Sequence, residues 1–178
     1  MATFYTHITD EQAALIRNAA VFFVASADPD LAAGPNGEGP VNVSPRGGVP
    51  LCILSPNRVA FLDYAGSGNE TARHSLADGP VTLMIPSFEA ENAAIVRLYG
   101  KARVTPLAES PLAELLLEHP AEDIRLPLRQ AVEVEIDRTM TSCGYGVPVM
   151  SFERDRRLAD RGRAYKESRA RQGVGSSR

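Results

Sequence analysis

Short apolar runs separated by turn residues dominate the chain. Residues 21–25 are a continuous apolar run that predicts a fully buried strand, and the mostly apolar residues 81–85 predict another strand. Residues 41–44, 96–104 and 132–137 alternate apolar with polar side chains, which is typical of strands with one buried face. The pattern predicts six or seven strands with three peripheral helices and no repeated βα unit. It therefore favours a closed antiparallel barrel.

The stretch 59–74 combines a strand with a turn and a helix start. Its first six residues are mostly apolar and predict a buried strand, the turn Gly66-Ser67-Gly68 follows, and a short helix begins after Asn69. Unpaired backbone N–H groups at such a helix start favour a bound phosphate or carboxylate. Thr71 stands where a dinucleotide-binding fingerprint would have its third glycine, and no βα series follows, which argues against a Rossmann fold. An ordinary strand–turn–helix remains the alternative.

Local signals define several further boundaries. Thr9 and Gln12 have the spacing of a capping box, which predicts a helix that ends near Asn18. The turn-rich residues 28–40 predict a long loop between two antiparallel strands. We expect Pro45 to end the strand that begins at residue 41, and Gly100 to mark a bulge or a close backbone approach.

The whole chain, 1–178, is predicted to be one domain with its core at about residues 20–150. Residues 151–172 predict an arginine-rich C-terminal helix with a thin apolar stripe at Leu158 and Tyr165. Residues 173–178 are predicted to be a disordered tail.

Composition is ordinary for a globular protein. Of 178 residues, 44% are hydrophobic and the formal net charge is −3, which gives no reason to expect a nucleic-acid partner. No apolar run has transmembrane length, so no membrane partner is expected. The N-terminus lacks the basic and apolar regions of a signal peptide, so we expect a cytoplasmic protein.

Cysteine and histidine spacing predicts no metal site. Cys52 and Cys143 are far apart in sequence and are expected to be free and mostly buried thiols. His7, His74 and His119 lack zinc-ligand spacing and are expected to be surface or capping residues.

Catalytic side chains are not identifiable from the sequence. No Ser-His-Asp or paired-carboxylate arrangement stands out, which argues against hydrolysis. Asp63 and Glu89 carry the carboxyl groups that an acid–base pair requires, but we interpret each as a surface or turn carboxylate.

Four motifs together carry a family resemblance. They are residues 42–47 (Asn-Val-Ser-Pro-Arg-Gly), 61–71, 97–102 (Arg-Leu-Tyr-Gly-Lys-Ala) and 143–148 (Cys-Gly-Tyr-Gly-Val-Pro). In order and spacing the chain resembles the pyridoxamine 5′-phosphate oxidase-like family of flavin-binding split barrels.

The resemblance implies a six-stranded antiparallel split β-barrel, mainly β with peripheral helices. It also implies a homodimer that binds flavin mononucleotide (FMN) in clefts between the subunits. By this resemblance, Val43 and Ser44 would lie along the flavin ring, and Arg46 would reach its polar edge or phosphate. Leu62 and Asp63 would lie on the second flavin-lining strand. The phosphate would be held by Ser67, Asn69 and Thr71, and Arg97 would lie on the strand that faces the other subunit's cofactor.

Two departures shape the function that we expect. The phosphate loop lacks the basic pair of pyridoxamine phosphate oxidases, and the chain contains no tryptophan. These departures argue against vitamin B6 oxidation. We expect an FMN-dependent oxidoreductase that acts on a small molecule. The alternatives are a non-catalytic barrel that binds flavin or haem, and a deazaflavin (F420)-dependent reductase.

Overall fold

A computed structural model of the chain describes residues 2–66, 68–118 and 127–156. Eight strands, three short α-helices and one 3₁₀ turn (Leu107–Glu109) occupy these ranges. The strands are β1 (Thr3–Tyr5), β2 (Val21–Ala27), β3 (Val41–Gly47), β4 (Cys52–Ser55), β5 (Arg58–Tyr64), β6 (Pro80–Pro86), β7 (Ala94–Pro106) and β8 (Leu128–Cys143). The helices are α1 (Asp10–Asn18), α2 (Glu70–Leu76) and α3 (Ala113–Leu117).

The strands form one antiparallel sheet in the order β3-β2-β6-β7-β8-β5-β4, with β1 also paired to β8. In these pairings β3 and β4 do not meet, so the closed barrel that the strand pattern favoured is wrong. The open sheet with peripheral helices instead confirms the split barrel that the family resemblance implied. The strand count exceeds six, and the two shortest strands are the three-residue β1 and the four-residue β4.

Strand β5 lies between two apolar clusters. Val59 and Phe61 belong to the main core, where the Phe61 ring meets the Phe22 ring edge-on with 5.3 Å between centroids. Ala60 and Leu62 face the other way and pack with residues around α3. Residues Val59 to Asp63 of β5 are all buried, and the two apolar clusters explain why the first four of them are apolar.

The N-terminal capping box is confirmed. Thr9 Oγ1 accepts from the Gln12 backbone N–H at 3.2 Å, and Gln12 Oε1 accepts from the Thr9 backbone N–H at 3.1 Å. The buried Gln12 side chain also bonds Thr139 and Thr141 of β8, which ties α1 to the sheet. Helix α1 ends at Asn18 as predicted.

Strand β3 corrects the prediction that Pro45 ends a strand. The ladder with β2 continues from Val41 through Pro45 to Gly47. Because β3 is an edge strand with a partner on one side only, it tolerates a residue without a backbone N–H. Val43 is exposed on this strand, and its polar neighbours point inward instead.

Strand β8 begins earlier than the alternation at residues 132–137 indicates. It starts at Leu128, so Arg129 and Gln130 lie on the strand and pair with the end of β5. The predicted close approach at Gly100 is confirmed by a register shift between Tyr99 and Gly100 in the β7–β8 ladder.

The C-terminal region departs from prediction where it is described. Residues 151–156, the described part of that predicted helix, are not helical. The rest of the predicted helix, including Leu158 and Tyr165, and the predicted tail lie outside the described residues.

Candidate functional site

A polar cavity of about 260 Å³ opens where β3, the end of β5, α2 and the start of β8 come together. Strand β3 contributes the inward-facing Asn42, Ser44 and Arg46. Asp63 and Arg129 line it from β5 and β8. The inward face of an edge strand is thus polar because it borders this cavity rather than the apolar core.

Asp63 is the central group of the cavity wall, with only 2% of its surface exposed. Its Oδ1 forms an ion pair with Arg46 Nη1 at 2.8 Å. The angles of this contact do not meet those of a hydrogen bond. Its Oδ2 accepts from Arg129 Nη2 at 2.6 Å and from Gln130 Nε2 at 2.7 Å. The interpretation of Asp63 as a surface or turn carboxylate is therefore wrong, whereas Glu89 is exposed as expected.

The same groups hold the glycine-rich turn in place. Arg129 Nη1 donates to the Gly68 carbonyl oxygen at 3.0 Å, and Gln130 Nε2 donates to Asn69 Oδ1 at 2.8 Å. On the opposite side Asn42 Nδ2 lies 3.5 Å from Oγ1 of the buried Thr71. Side chains of β3 and β8 therefore contact the residues of this turn from opposite sides.

Unsatisfied buried atoms concentrate in this cavity. Within the described part of the chain, the buried side-chain polar atoms without a hydrogen bond are Ser44 Oγ, Arg46 Nε and Asp63 Oδ1. All three residues line the cavity. Because buried polar atoms are nearly always hydrogen-bonded in native proteins, a polar ligand or ordered water at this position would complete them.

The structure brings together five of the residues that the sequence singled out. Ser44, Arg46, Asp63, Asn69 and Thr71 all line the cavity. Ser67 lies outside the described residues.

Three other candidates lie elsewhere. Val43 points away from the cavity and is 63% exposed, and Leu62 is buried in the cluster near α3. Arg97 is on β7, where its Nη1 donates to Ser142 Oγ at 3.0 Å. None of the three lines the cavity of this chain, so their roles toward a cofactor stay predictions.

Sequence reasoning missed Arg129, which lines the cavity, and Gln130, which bonds the lining residues Asp63 and Asn69. No local signal marks them, because they precede the clear alternation of β8. Only the pairing of Asp63 with Gln130 in the β5–β8 ladder brings them to the cavity.

His74 corrects the expectation of a surface or capping histidine, because it is fully buried. Its Nε2 lies 2.8 Å from Arg73 Nη2, and its Nδ1 lies 2.8 Å from Ser26 Oγ. A guanidinium can only donate, so Nε2 accepts and the neutral ring carries its proton on Nδ1. The contact with Ser26 is not a hydrolytic pair, since an arginine rather than a carboxylate orients the ring.

Stability should depend on the titration of His74. Burial, and then the adjacent Arg73, lower the pKa of His74 below its ordinary value of 6.5, and Asp28 and Glu70 oppose this only in part. Between the folded pKa and 6.5 the unfolded chain binds more protons, so the free energy of unfolding should rise with pH there and level off above 6.5. Chemical denaturation from about pH 5 to 8 should show a smaller slope in His74→Gln. Equal slopes in the two proteins would contradict this assignment.

Neither cysteine forms a disulfide. Cys52 is half-buried, and burial raises the pKa of its thiol. Cys143 is exposed, so the expectation that both thiols are mostly buried is wrong for this residue.

Two arginines, hydroxyl groups and amides around one small cavity suit an anion such as a phosphate. The fold and cavity together define an antiparallel split barrel with a candidate anion site. No helix in the described part of the chain has the length and apolar character needed to cross a bilayer.

Comparison with known proteins gives the family. A model of the pyridoxamine 5′-phosphate oxidase family matches residues 8–143, and the chain belongs to this family. The pyridoxamine 5′-phosphate oxidase family protein ustO of Aspergillus flavus is 30% identical over 158 residues, which cover 87% of this chain. The chain spans only 59% of the length of that relative.

Solved structures share the fold at low identity. A candidate pyridoxamine 5′-phosphate oxidase of Lactobacillus delbrueckii matches with a TM-score of 0.55 at 19% identity, covering 76% of this chain and 94% of that one. An FMN-binding protein of Syntrophomonas wolfei matches with a TM-score of 0.51 at 10% identity, covering 78% and 81%.

Proposed function

We propose that this protein is an FMN-dependent oxidoreductase that acts on a small molecule. The observation that carries the proposal is the cavity between β3 and β8, where two arginines face the same space as the unpaired Ser44 Oγ and Arg46 Nε. Family membership supports a flavin, and one protein that shares the fold is an FMN-binding protein.

The residues present fit the phosphate end of FMN. Arg46 and Arg129 supply charge, while Ser44, Asn69 and Thr71 supply short polar groups. The cavity of about 260 Å³ is smaller than the roughly 300–1,000 Å³ typical of pockets that hold a whole small molecule. It therefore suits the phosphate end, and the rest of the cofactor would extend beyond it.

When bound, the flavin supplies the electron-transfer chemistry, and the protein binds and orients it. Arg46 approaches Asp63 from the cavity side of β3, the same side that carries Ser44. This placement favours a role for Arg46 toward the phosphate rather than toward the ring edge. The described residues that line the cavity include no nucleophile–base pair, and we assign no catalytic side chain.

Titration with FMN and with riboflavin, which lacks the phosphate, tests the proposal. Wild type should bind FMN more tightly than riboflavin by fluorescence quenching. Thr71→Val removes one hydroxyl and should weaken FMN roughly three- to tenfold, with less than about a twofold effect on riboflavin.

Equal weakening of both flavins in Thr71→Val would contradict a phosphate site at the turn. If wild type binds neither flavin, the FMN assignment fails. Titration with F420 and haem would then test the reductase and the non-catalytic binding protein. Turnover of reduced FMN by an electron acceptor separates the enzyme from a flavin-binding protein without activity.

We also infer a homodimer. The motivation in the described residues is exposed apolar surface, with Val41 59% and Val43 63% exposed on edge strand β3. Further exposed apolar side chains follow β8, namely Tyr145, Val149, Met150 and Phe152. Apolar surface on this scale is typical of interaction sites, and the commonest assembly is a two-fold dimer.

Sedimentation equilibrium at micromolar concentration should give twice the 19.2 kDa chain mass. Val41→Glu would place a charge in the exposed apolar surface and should shift the equilibrium toward monomer. A wild-type monomer across the concentration series would contradict the dimer and any cofactor site shared between subunits.

A further inference from the structure

We propose that Arg129 is a second phosphate-binding residue, which acts with Arg46 on the same ligand group. The inference rests on the proposed function and adds a residue to its site. In the structure, Arg129 stands at the start of β8, opposite the end of β5, and lines the cavity. Its side chain is 23% exposed, which nearly equals the 24% of Arg46.

Arg129 is held so that part of its guanidinium stays available. Its Nε and Nη2 donate to Asp63 Oδ2 at 3.2 and 2.6 Å, and its Nη1 donates to the Gly68 carbonyl oxygen at 3.0 Å. A guanidinium has five N–H donors in a planar fork. Three are used by these bonds, so one N–H on Nη1 and one on Nη2 lack a partner within the described residues. The carboxylate fixes the group, and the free donors remain for a ligand.

Charge balance also favours a role for the second arginine. Asp63 is buried between Arg46 and Arg129 and offsets one of the two positive charges. Glu70 adds another carboxylate to the cavity wall. Without Arg129 the cavity would carry one cation against two carboxylates, which opposes a phosphate that is close to a dianion at pH 7. The second cation brings the side-chain charges into balance and leaves the arginine donors to attract the anion.

A purely structural role is the competing explanation, because Arg129 also ties the Gly66–Thr71 turn to β8. Two substitutions separate the roles. Arg129→Lys keeps the charge but loses the planar fork, whereas Arg129→Gln keeps hydrogen-bonding groups but loses the charge. Arg58→Gln is the matched control, since Arg58 forms an ion pair with Glu133 across the same two strands and does not line the cavity.

FMN and riboflavin should be titrated into wild type and all three variants, with thermal unfolding as a check on folding. We expect Arg129→Gln to weaken FMN about ten- to a hundredfold and riboflavin less than about threefold. Arg129→Lys should retain most of the FMN affinity, and Arg58→Gln should match wild type.

Equal losses for Lys and Gln, equal losses for both flavins, or no loss in Arg129→Gln would overturn the proposal for Arg129. If Arg129→Gln does not fold, a small FMN-specific loss in folded Arg129→Lys supports it, because lysine keeps the charge but loses the planar fork, and no FMN-specific loss overturns it. Failure of the proposed function is distinguishable, because wild type would then bind FMN no better than riboflavin.

Discussion

Replacing Arg46 with alanine should weaken FMN binding by about ten- to a hundredfold. A hydrogen bond to a charged group contributes roughly 1.5–3 kcal/mol, and each 1.4 kcal/mol corresponds to about a factor of ten in affinity. Among the described residues the buried Nε of Arg46 has no hydrogen-bond partner, and its Nη1 pairs with Asp63. The guanidinium is thus anchored on one side and available to a ligand on the other.

The fold should survive this substitution. Asp63 keeps its hydrogen bonds from Arg129 and Gln130 when Arg46 is removed, so no buried carboxylate is left alone. Riboflavin affinity should therefore change less than about threefold, because the lost interaction is with the phosphate. Fluorescence titration of both flavins measures the difference directly.

Arg58→Ala is the control for loss of a surface charge from the same pair of strands. Arg58 is 51% exposed, and its ion pair with Glu133 should contribute little to flavin affinity. FMN affinity in this variant should equal that of wild type. An unchanged FMN affinity in Arg46→Ala, or an equal loss of riboflavin, would place the phosphate elsewhere.

Features set by short-range sequence signals were predictable. The capping box at Thr9 and Gln12 needs only four consecutive residues, and both of its hydrogen bonds form. The run at 21–25 and the stretch at 59–64 became β2 and β5. Burial over Val59–Leu62 matches the apolar run there, whereas β2 alternates between buried and half-buried residues, so its expected full burial is wrong. The long loop at 28–40 joins antiparallel strands as the turn residues indicated.

Features set by sheet register were not predictable from local patterns. Alternation in β3 showed one apolar and one polar face, but could not show that the polar face borders a cavity and the valines are exposed. Arg129 reaches the cavity only because Gln130 pairs with Asp63 across two strands far apart in sequence. Alternation of apolar and polar residues within one strand does not indicate which residue of a distant strand pairs with it.

The burial of polar side chains was also not predictable from the sequence. Asp63 follows an apolar run and lies shortly before a turn. The local sequence alone therefore indicates an exposed side chain at this position. Its burial depends on cations supplied by β3 and β8. His74 is likewise buried because Ser26 and Arg73 satisfy both ring nitrogens. Such compensation by distant partners becomes visible only when the strands are assembled.

Of the substitutions proposed, Gly100→Ala should cause the largest loss in the free energy of unfolding. Gly100 lies at the bulge where β7 shifts its register against β8. A Cβ at this position would overlap the Glu135 carbonyl oxygen and lie 2.9 Å from the carbonyl carbon. These are backbone atoms of the paired strand, so no side-chain rotation can relieve the overlap.

The strands must therefore separate locally, which disturbs the longest ladder of the sheet. Overpacking of this kind typically costs 1–3 kcal/mol and occasionally more, and we expect Gly100→Ala to cost about 3 kcal/mol or more. For a domain of this size that corresponds to a melting temperature roughly 6–12 °C lower. Denaturant unfolding and calorimetry measure both quantities.

Gly146→Ala is the matched control, because no atom lies within 4 Å of its added Cβ and its φ is not in the left-handed region. We expect its free energy of unfolding to stay within about 0.5 kcal/mol of wild type. A stability of Gly100→Ala equal to that of Gly146→Ala would mean that β7 and β8 do not approach closely at this bulge. Since β8 also carries Arg129 to the cavity, flavin affinity in Gly100→Ala should be compared at a temperature where the variant is still folded.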